Sequence, residues 1–396
     1  MTTMECPSCH LDIPGGRFCG LCGQPLANPA AAGLRPATFG ACPDEGVLRP
    51  ALASALFPHL PRRSRLPFRL GLLAVGLGLV GLAALRFSPA LVTLVSVGPT
   101  LLFLLYLRAS QVDRGLGRGP VALAVVLGAG FAVGWTLLTH RAEGWTVLTG
   151  VFRGWSTSGD YGLPLAVDGD GLVGGAVAAS VTGALMMSMP ALVVGLLPKR
   201  TREALDGFAV GVAGALAFAA AASLIRLAPQ FTTGLRQHTR PFSSFAVEAG
   251  INGVVIPLCA AAAGGVIGVA LWFRPRHDDR FPARLVLWLL FVAVLVTYVG
   301  IGRVDSLRLP QAVVLLFNLL LAVACLLALR VAIQVGLLYE QADPATWEPL
   351  LCEHCERVVP DAAFCASCGA AARASSRESR QVRRRMRPVA VVSGDS

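Results

Sequence analysis

Eight of the chain's eleven cysteines fall into two sets with one spacing. Cys6, Cys9, Cys19 and Cys22 follow C-x2-C-x9-C-x2-C, and Cys352, Cys355, Cys365 and Cys368 repeat it. Two thiolates separated by two residues can grip one ion from a tight turn, and two such turns complete a tetrahedron. With sulfur at all four positions no place is left for water, so the expected chemistry is structural metal binding and not catalysis. Paired disulfides are the other reading of the same cysteines, and they require an oxidising compartment. The match runs beyond the sulfurs. Phe18 and Phe364 precede the third cysteine, Gly23 and Gly369 follow the fourth, and Pro14 and Pro360 stand five places after the second.

Segments of about 20 residues bury too little to fold unaided, and metal-binding energy replaces the missing core. Both passages resemble short zinc ribbons, and the resemblance implies two zinc ions; iron also fits four sulfurs. Zinc-loaded thiolates belong in a reducing compartment, so the ribbon modules, residues 1–24 and 350–371, are both expected in the cytoplasm. Cys259 and Cys325 lie inside apolar runs and read as small packing residues.

The elements that must carry these modules are apolar. The chain is 55% hydrophobic and 14% charged, with a mean hydropathy of +0.64, whereas a soluble domain carries about 25% charged residues. Its 43 glycines suit helices packed closely in lipid. Its 34 basic residues are all arginine except Lys199, a skew that fits GC-rich coding and hence a bacterial source. A bilayer core needs about 20 apolar residues in helix. Runs of that kind lie at about 68–87, 90–107, 119–139, 171–197, 205–227, 249–273, 282–301 and 310–329. The fold class expected is therefore an all-α polytopic membrane protein of about eight transmembrane helices, with a zinc ribbon at each terminus. A Pro/Ala-rich linker, 25–66, leads into the membrane domain, 67–340, and a basic disordered tail, 372–396, ends the chain.

Charge placement orients this arrangement. With the N-terminus inside, the inner loops carry fourteen basic residues and the outer loops eight, as expected of a chain whose basic loops stay in the cytoplasm. Eight crossings return the C-terminus to the same side. The expected location is the cell membrane, with both termini cytoplasmic.

A resemblance to a family appears between Met186 and Ser223. A basic turn at Lys199 to Arg202 precedes Asp206 and Gly207, which open a glycine-rich run through Gly211 and Gly214 to Phe218 and Ala219. This passage is similar to the PrsW-type intramembrane peptidases of the CAAX-protease group. That family places a glutamate pair where this chain has Met186 and Met187, and Glu-Asn where it has Ala222 and Ser223. Taking a proton from water needs a base, and methionine is none. The resemblance therefore implies a relative without catalytic residues. A peptidase with a rearranged site would have to use Glu248 and Asp206, at the ends of their runs. A small-solute permease is the further alternative, resting on the span number and on Pro190 and Pro257 within apolar runs. Arg330, Asn318 and Gln334 would be its polar candidates.

The tail carries Arg377, Arg380, Arg383, Arg384, Arg385 and Arg387. At a cytoplasmic membrane face such a cluster attracts anionic lipid, and it could equally meet a protein partner or, as the less favoured choice, nucleic acid. The function expected is a non-catalytic scaffold or regulator in the bilayer, with a cytosolic or membrane protein as partner.

Overall fold

The computed structural model describes residues 3–7, 10, 12–21, 26, 65–110, 118–141, 169–197, 203–231, 242–275, 282–304, 310–340, 348–352, 355–369 and 377–386. Cys9, Cys22, Arg387, most of the linker and the loop 142–168 lie outside them.

A short hairpin, β1 (Thr3–Glu5) and β2 (Asp12–Pro14), opens the chain. The helices follow: α1 (Arg65–Ala84), α2 (Ser88–Ser110), α3 (Arg118–Arg141), α4 (Gly169–Leu196) and α5 (Ala204–Leu227). Next come α6 (Phe242–Gly250), a π-helical turn over Ile251–Val255, and α7 (Ile256–Trp272), which run on as one rod. After α8 (Ala283–Val304) and α9 (Gln311–Tyr339) a second hairpin forms, β3 (Pro349–Leu351) with β4 (Val358–Pro360). A last helix, α10 (Arg377–Arg385), follows it.

Six of these helical stretches are long and apolar enough to cross a membrane: Leu66–Ala84, Pro89–Arg108, Arg118–Leu137, Ala204–Leu227, Ala246–Trp272 and Ala312–Ile333. Shorter apolar segments, Thr182–Leu196 and Ala283–Tyr298, occupy α4 and α8. The surface agrees with a lipid surrounding. Leu70, Leu73, Leu77 and Val80 on α1 are each more than half exposed, as are Leu285, Leu289 and Val296 on α8 and Leu316, Leu320 and Leu327 on α9. Water would penalise such bands, whereas acyl chains accept them.

The bundle is centred on α5 and α7, which are the most enclosed of the spans. Glycine makes their contact possible. A Cβ on Gly207 or Gly211 would run into the carbonyl oxygen of Gly268 or Gly264, and the reverse holds for both partners. These pairs run antiparallel and bring backbone against backbone, the close approach that small residues permit in membranes. Gly214 meets Pro190 of α4 and the α3 backbone near Ala124, so Pro190 serves as a packing surface for α5. Cys259 and Cys325 are likewise buried in the central core.

The tail differs from expectation. Residues 377–385, read from sequence as part of a disordered end, form a helix. The reason is electrostatic: its arginines find carboxylates on the ribbon and on α5, as described next.

Candidate metal centre and its attachment to the bundle

The second hairpin presents its sulfurs to one point. Sγ of Cys352 lies 3.8 Å from that of Cys368, and Sγ of Cys355 lies 3.9 Å from that of Cys365. All four sulfurs fall within 4.8 Å of one another. A tetrahedron with metal–sulfur bonds of about 2.3 Å has edges of about 3.8 Å, so the cluster could hold a metal ion with little rearrangement. The Cys365 thiol is pushed up to about 12, foremost by its hydrogen bond with Cys352 and further by burial. Crowded thiols resist losing their protons together, and a bound cation reverses that preference.

Local structure explains the placement. Glu356, just after the second ligand, has φ 57°, in the left-handed region, and its N–H donates to the Cys352 carbonyl at 2.8 Å. After the fourth ligand Gly369 has φ 72° and donates to Cys365 O at 2.8 Å. Each C-x2-C pair is thus bent into a tight turn with both sulfurs on one side. Leu350 and Val359 supply the small apolar floor.

The first hairpin is built to the same plan. Thr3, Met4 and Glu5 pair with Pro14, Ile13 and Asp12, and Pro349, Leu350 and Leu351 pair with Pro360, Val359 and Val358 at the matching positions. His10, the counterpart of Glu356, has φ 56° and donates to Cys6 O at 2.9 Å. Cys6 and Cys19 are buried around Ile13. Cys9 and Cys22 fall outside the described residues, so only half of this sulfur set is located. None of the described cysteines forms a disulfide.

The two ribbons also pack on each other, which spacing alone does not reveal. Phe18 N donates to Ala366 O at 3.1 Å, and Phe364 N donates to Gly20 O at 2.8 Å. Phe18 matches Phe364 and Gly20 matches Ala366 in the repeat, so the pairing is pseudo-symmetric, like an isologous dimer within one chain. Arg17 N adds a third bond to Ala366 O at 2.9 Å. A Cβ on Gly16 would stand 2.9 Å from that of Ala366, and one on Gly20 would stand 2.9 Å from that of Ala362. Small residues at four matched positions were the signal available in the sequence.

The tail helix fastens this unit to the membrane helices. Arg384 donates to Asp361, which is buried between β4 and the third ligand, and lies 3.8 Å from Glu348. One turn earlier Arg380 reaches Glu203, 2.7 Å away, at the start of α5. Removing one partner of a buried pair of this kind costs about 3–5 kcal/mol. The next residue, Ala204, donates its backbone N–H to Glu340 Oε1 at 2.6 Å. Glu340 closes α9, and its backbone bridges to Pro275 after α7. Burial pushes the Glu340 carboxyl up to about 8; Glu203 and Asp206 add to this, while the Ala204 N–H and Arg380 oppose it. Of the tail arginines named from sequence, Arg380 and Arg383 are buried, Arg384 is half-buried and Arg385 is exposed. Arg377 opens the helix.

The remaining sequence candidates are dispersed. Met187 and Ala222 are buried in the central core, and Met186 packs against it. Asp206 and Glu248 are half-buried, the first in the first turn of α5 and the second on α6 beside the π turn. Asn318 is fully buried on α9, and neither amide atom has a partner among the described residues. Arg330 is half-buried on the same helix. No family model, curated protein or solved structure matches this chain. Fold and site define it at a coarse level: a mostly helical chain with, among the described residues, six helices long and apolar enough to cross a bilayer and a four-cysteine cluster that could hold a metal ion.

Proposed function

We propose that this chain is a non-catalytic membrane scaffold or regulator whose two ends form one zinc-holding contact module on the cytosolic side of the cell membrane. The observation that carries the reading is the pairing of the ribbons through Phe18, Gly20, Phe364 and Ala366. A pair of closed sulfur sites offers surface and rigidity, not an open coordination position, and so suits binding to another protein. Zinc is favoured over iron because the cluster needs no redox partner to be useful as a brace. The repeated backbone around Cys6 and Cys19 supports a second ion there, held also by Cys9 and Cys22. Segments Thr182–Leu196 and Ala283–Tyr298 complete eight crossings when added to the six longer ones.

Kinship with the PrsW-type peptidases remains part of this reading, as a form without the acids. Met187 and Ala222 are buried members of the central apolar core, and neither offers a group that could take a proton from water. The test is made on full-length protein purified without chelator. Elemental analysis should give two zinc ions per chain, and Cys352→Ser and Cys6→Ser should each remove one. Crosslinking in cells should recover proteins that are lost with either variant. Zinc-free protein, or a crosslinked set unchanged by both substitutions, would count against the proposal.

A further inference from the structure

The four-sulfur cluster is joined to the membrane helices by an unbroken line of contacts. Asp361 lies four residues before Cys365 and nine after Cys352, within the loop that a bound ion would fix. It is 3% exposed and takes Arg384. Arg384 and Arg380 are one helical turn apart on α10, so they project from the same face of a short rod. Arg380 grips both carboxylate oxygens of Glu203, at 2.7 and 3.5 Å. Glu203 stands immediately before α5, and the first N–H of that helix donates to Glu340 at the end of α9. Both helices belong to the bundle core, where Leu329 and Phe208 meet over Gly265 of α7.

From this geometry we infer a metal-responsive brace: a thiophilic divalent cation at Cys352, Cys355, Cys365 and Cys368 sets the junction of α5 and α9 through Asp361, α10 and Glu203. The inference rests on the proposed zinc module and adds a direction of influence from ribbon to bundle. Without the ion, the β4–Cys365 loop loses its anchor and Asp361 no longer holds a fixed position. The Arg384–Asp361 contact then loses its fixed end, while the exposed Glu348 stays 3.8 Å from Arg384, and α10 can move away from Glu203. The pairing with the first ribbon is broken by the same event, since Phe364 and Ala366 flank the ligand Cys365. The membrane domain thereby receives a signal that thiol oxidation or metal withdrawal in the cytosol can generate.

Hydrogen–deuterium exchange on the full-length protein in lipid nanodiscs supplies the measurement, with zinc bound and after stripping by a chelator. Amides 352–369 should lose protection on stripping, and amides 204–207 should exchange at least tenfold faster. In Arg380→Gln the ribbon should still respond to zinc, while the difference at 204–207 disappears. Glu203→Gln cuts the same pair from the other side and should behave alike, and Arg385→Gln, at an exposed position, should keep the wild-type response. A ribbon that loosens while 204–207 stays unchanged would overturn the brace and leave the zinc module intact. A full response at 204–207 in both Arg380→Gln and Glu203→Gln would overturn it too. If wild-type protein carries no zinc and stripping changes nothing, the module itself fails, and the brace with it.

Discussion

Glu340 shows how much of this protein's chemistry depends on surroundings and not on residue type. As an acid after a long apolar run it carries no mark in the sequence that sets it apart. In the fold it is enclosed between the starts and ends of α5, α7 and α9, and its carboxyl is raised from 4.5 to about 8. Each unit of displacement corresponds to about 1.4 kcal/mol. A carboxyl whose folded value lies above its unfolded value binds its proton more tightly when folded. The stabilisation is therefore fully present below about 4.5 and is lost as pH rises towards about 8. Glu340→Gln keeps an oxygen for the Ala204 N–H and cannot ionise. Subtracting its thermal-unfolding profile from that of the wild type between pH 5 and 9 removes the metal site's own pH dependence. The difference should show wild type losing stability relative to the variant up to about pH 8 and then levelling. A flat difference would mean that Glu340 titrates normally. Asn318 carries the same lesson in neutral form: the sequence marks it as polar inside a span, but only packing shows that both ends of its amide lack partners among the described residues.

At the scale of elements, legibility follows periodicity and composition. Runs of apolar residues placed most of the long helices to within a few positions, since length and hydropathy are dictated by the bilayer and visible in any window, but α9 continues to Tyr339, ten residues past the end of its run. The start of the sixth rod at Phe242 and its π turn at Ile251–Val255 were not legible. A π turn leaves no compositional mark; within it, Gly253 faces Val95 of α2 and Leu79 of α1, which a Cβ there would crowd. The α10 helix is hidden in the sequence because its five arginines read as a solvated end until acids from distant segments are brought to them. Glycines sort themselves only in three dimensions. Gly264 faces the Gly211 carbonyl and Ala215 Cβ, whereas Gly130 on α3 has nothing within 4 Å. Overpacking costs about 1–3 kcal/mol, while alanine for glycine in an open helical position gains up to about 1 kcal/mol. Gly264→Leu should thus lower the unfolding temperature by several degrees and Gly130→Ala should leave it level or raise it. Equal effects from the two would remove the glycine seam between α5 and α7 as an explanation of the packing.

For the whole molecule, the paired ribbons turn a question of topology into one of geometry. Two segments more than 300 residues apart in the chain share three backbone hydrogen bonds, and a bilayer cannot lie between groups in such contact. On the proposed reading, with these helices in a bilayer, the number of crossings is then even, whatever the loop charges. In the proposed arrangement the asymmetry of basic residues, fourteen against eight, favours the cytosolic side. Thiolate chemistry points the same way, because a reducing compartment keeps four sulfurs available to a cation. An epitope tag placed at each terminus should therefore bind antibody only after cells are permeabilised, with a third tag in the loop between α3 and α4 reached from outside in intact cells. Tags of opposite accessibility would require an odd number of crossings and would separate the ribbons. Both ends outside would keep the pairing and refute the cytosolic assignment. Gly20→Leu sharpens the result: it drives a side chain into Ala362, so the ribbons should part while each tag stays on its side. Distances between spin labels at the two ribbons should lengthen and broaden in that variant, as expected if the membrane helices set the topology and the ribbon contact is built upon it.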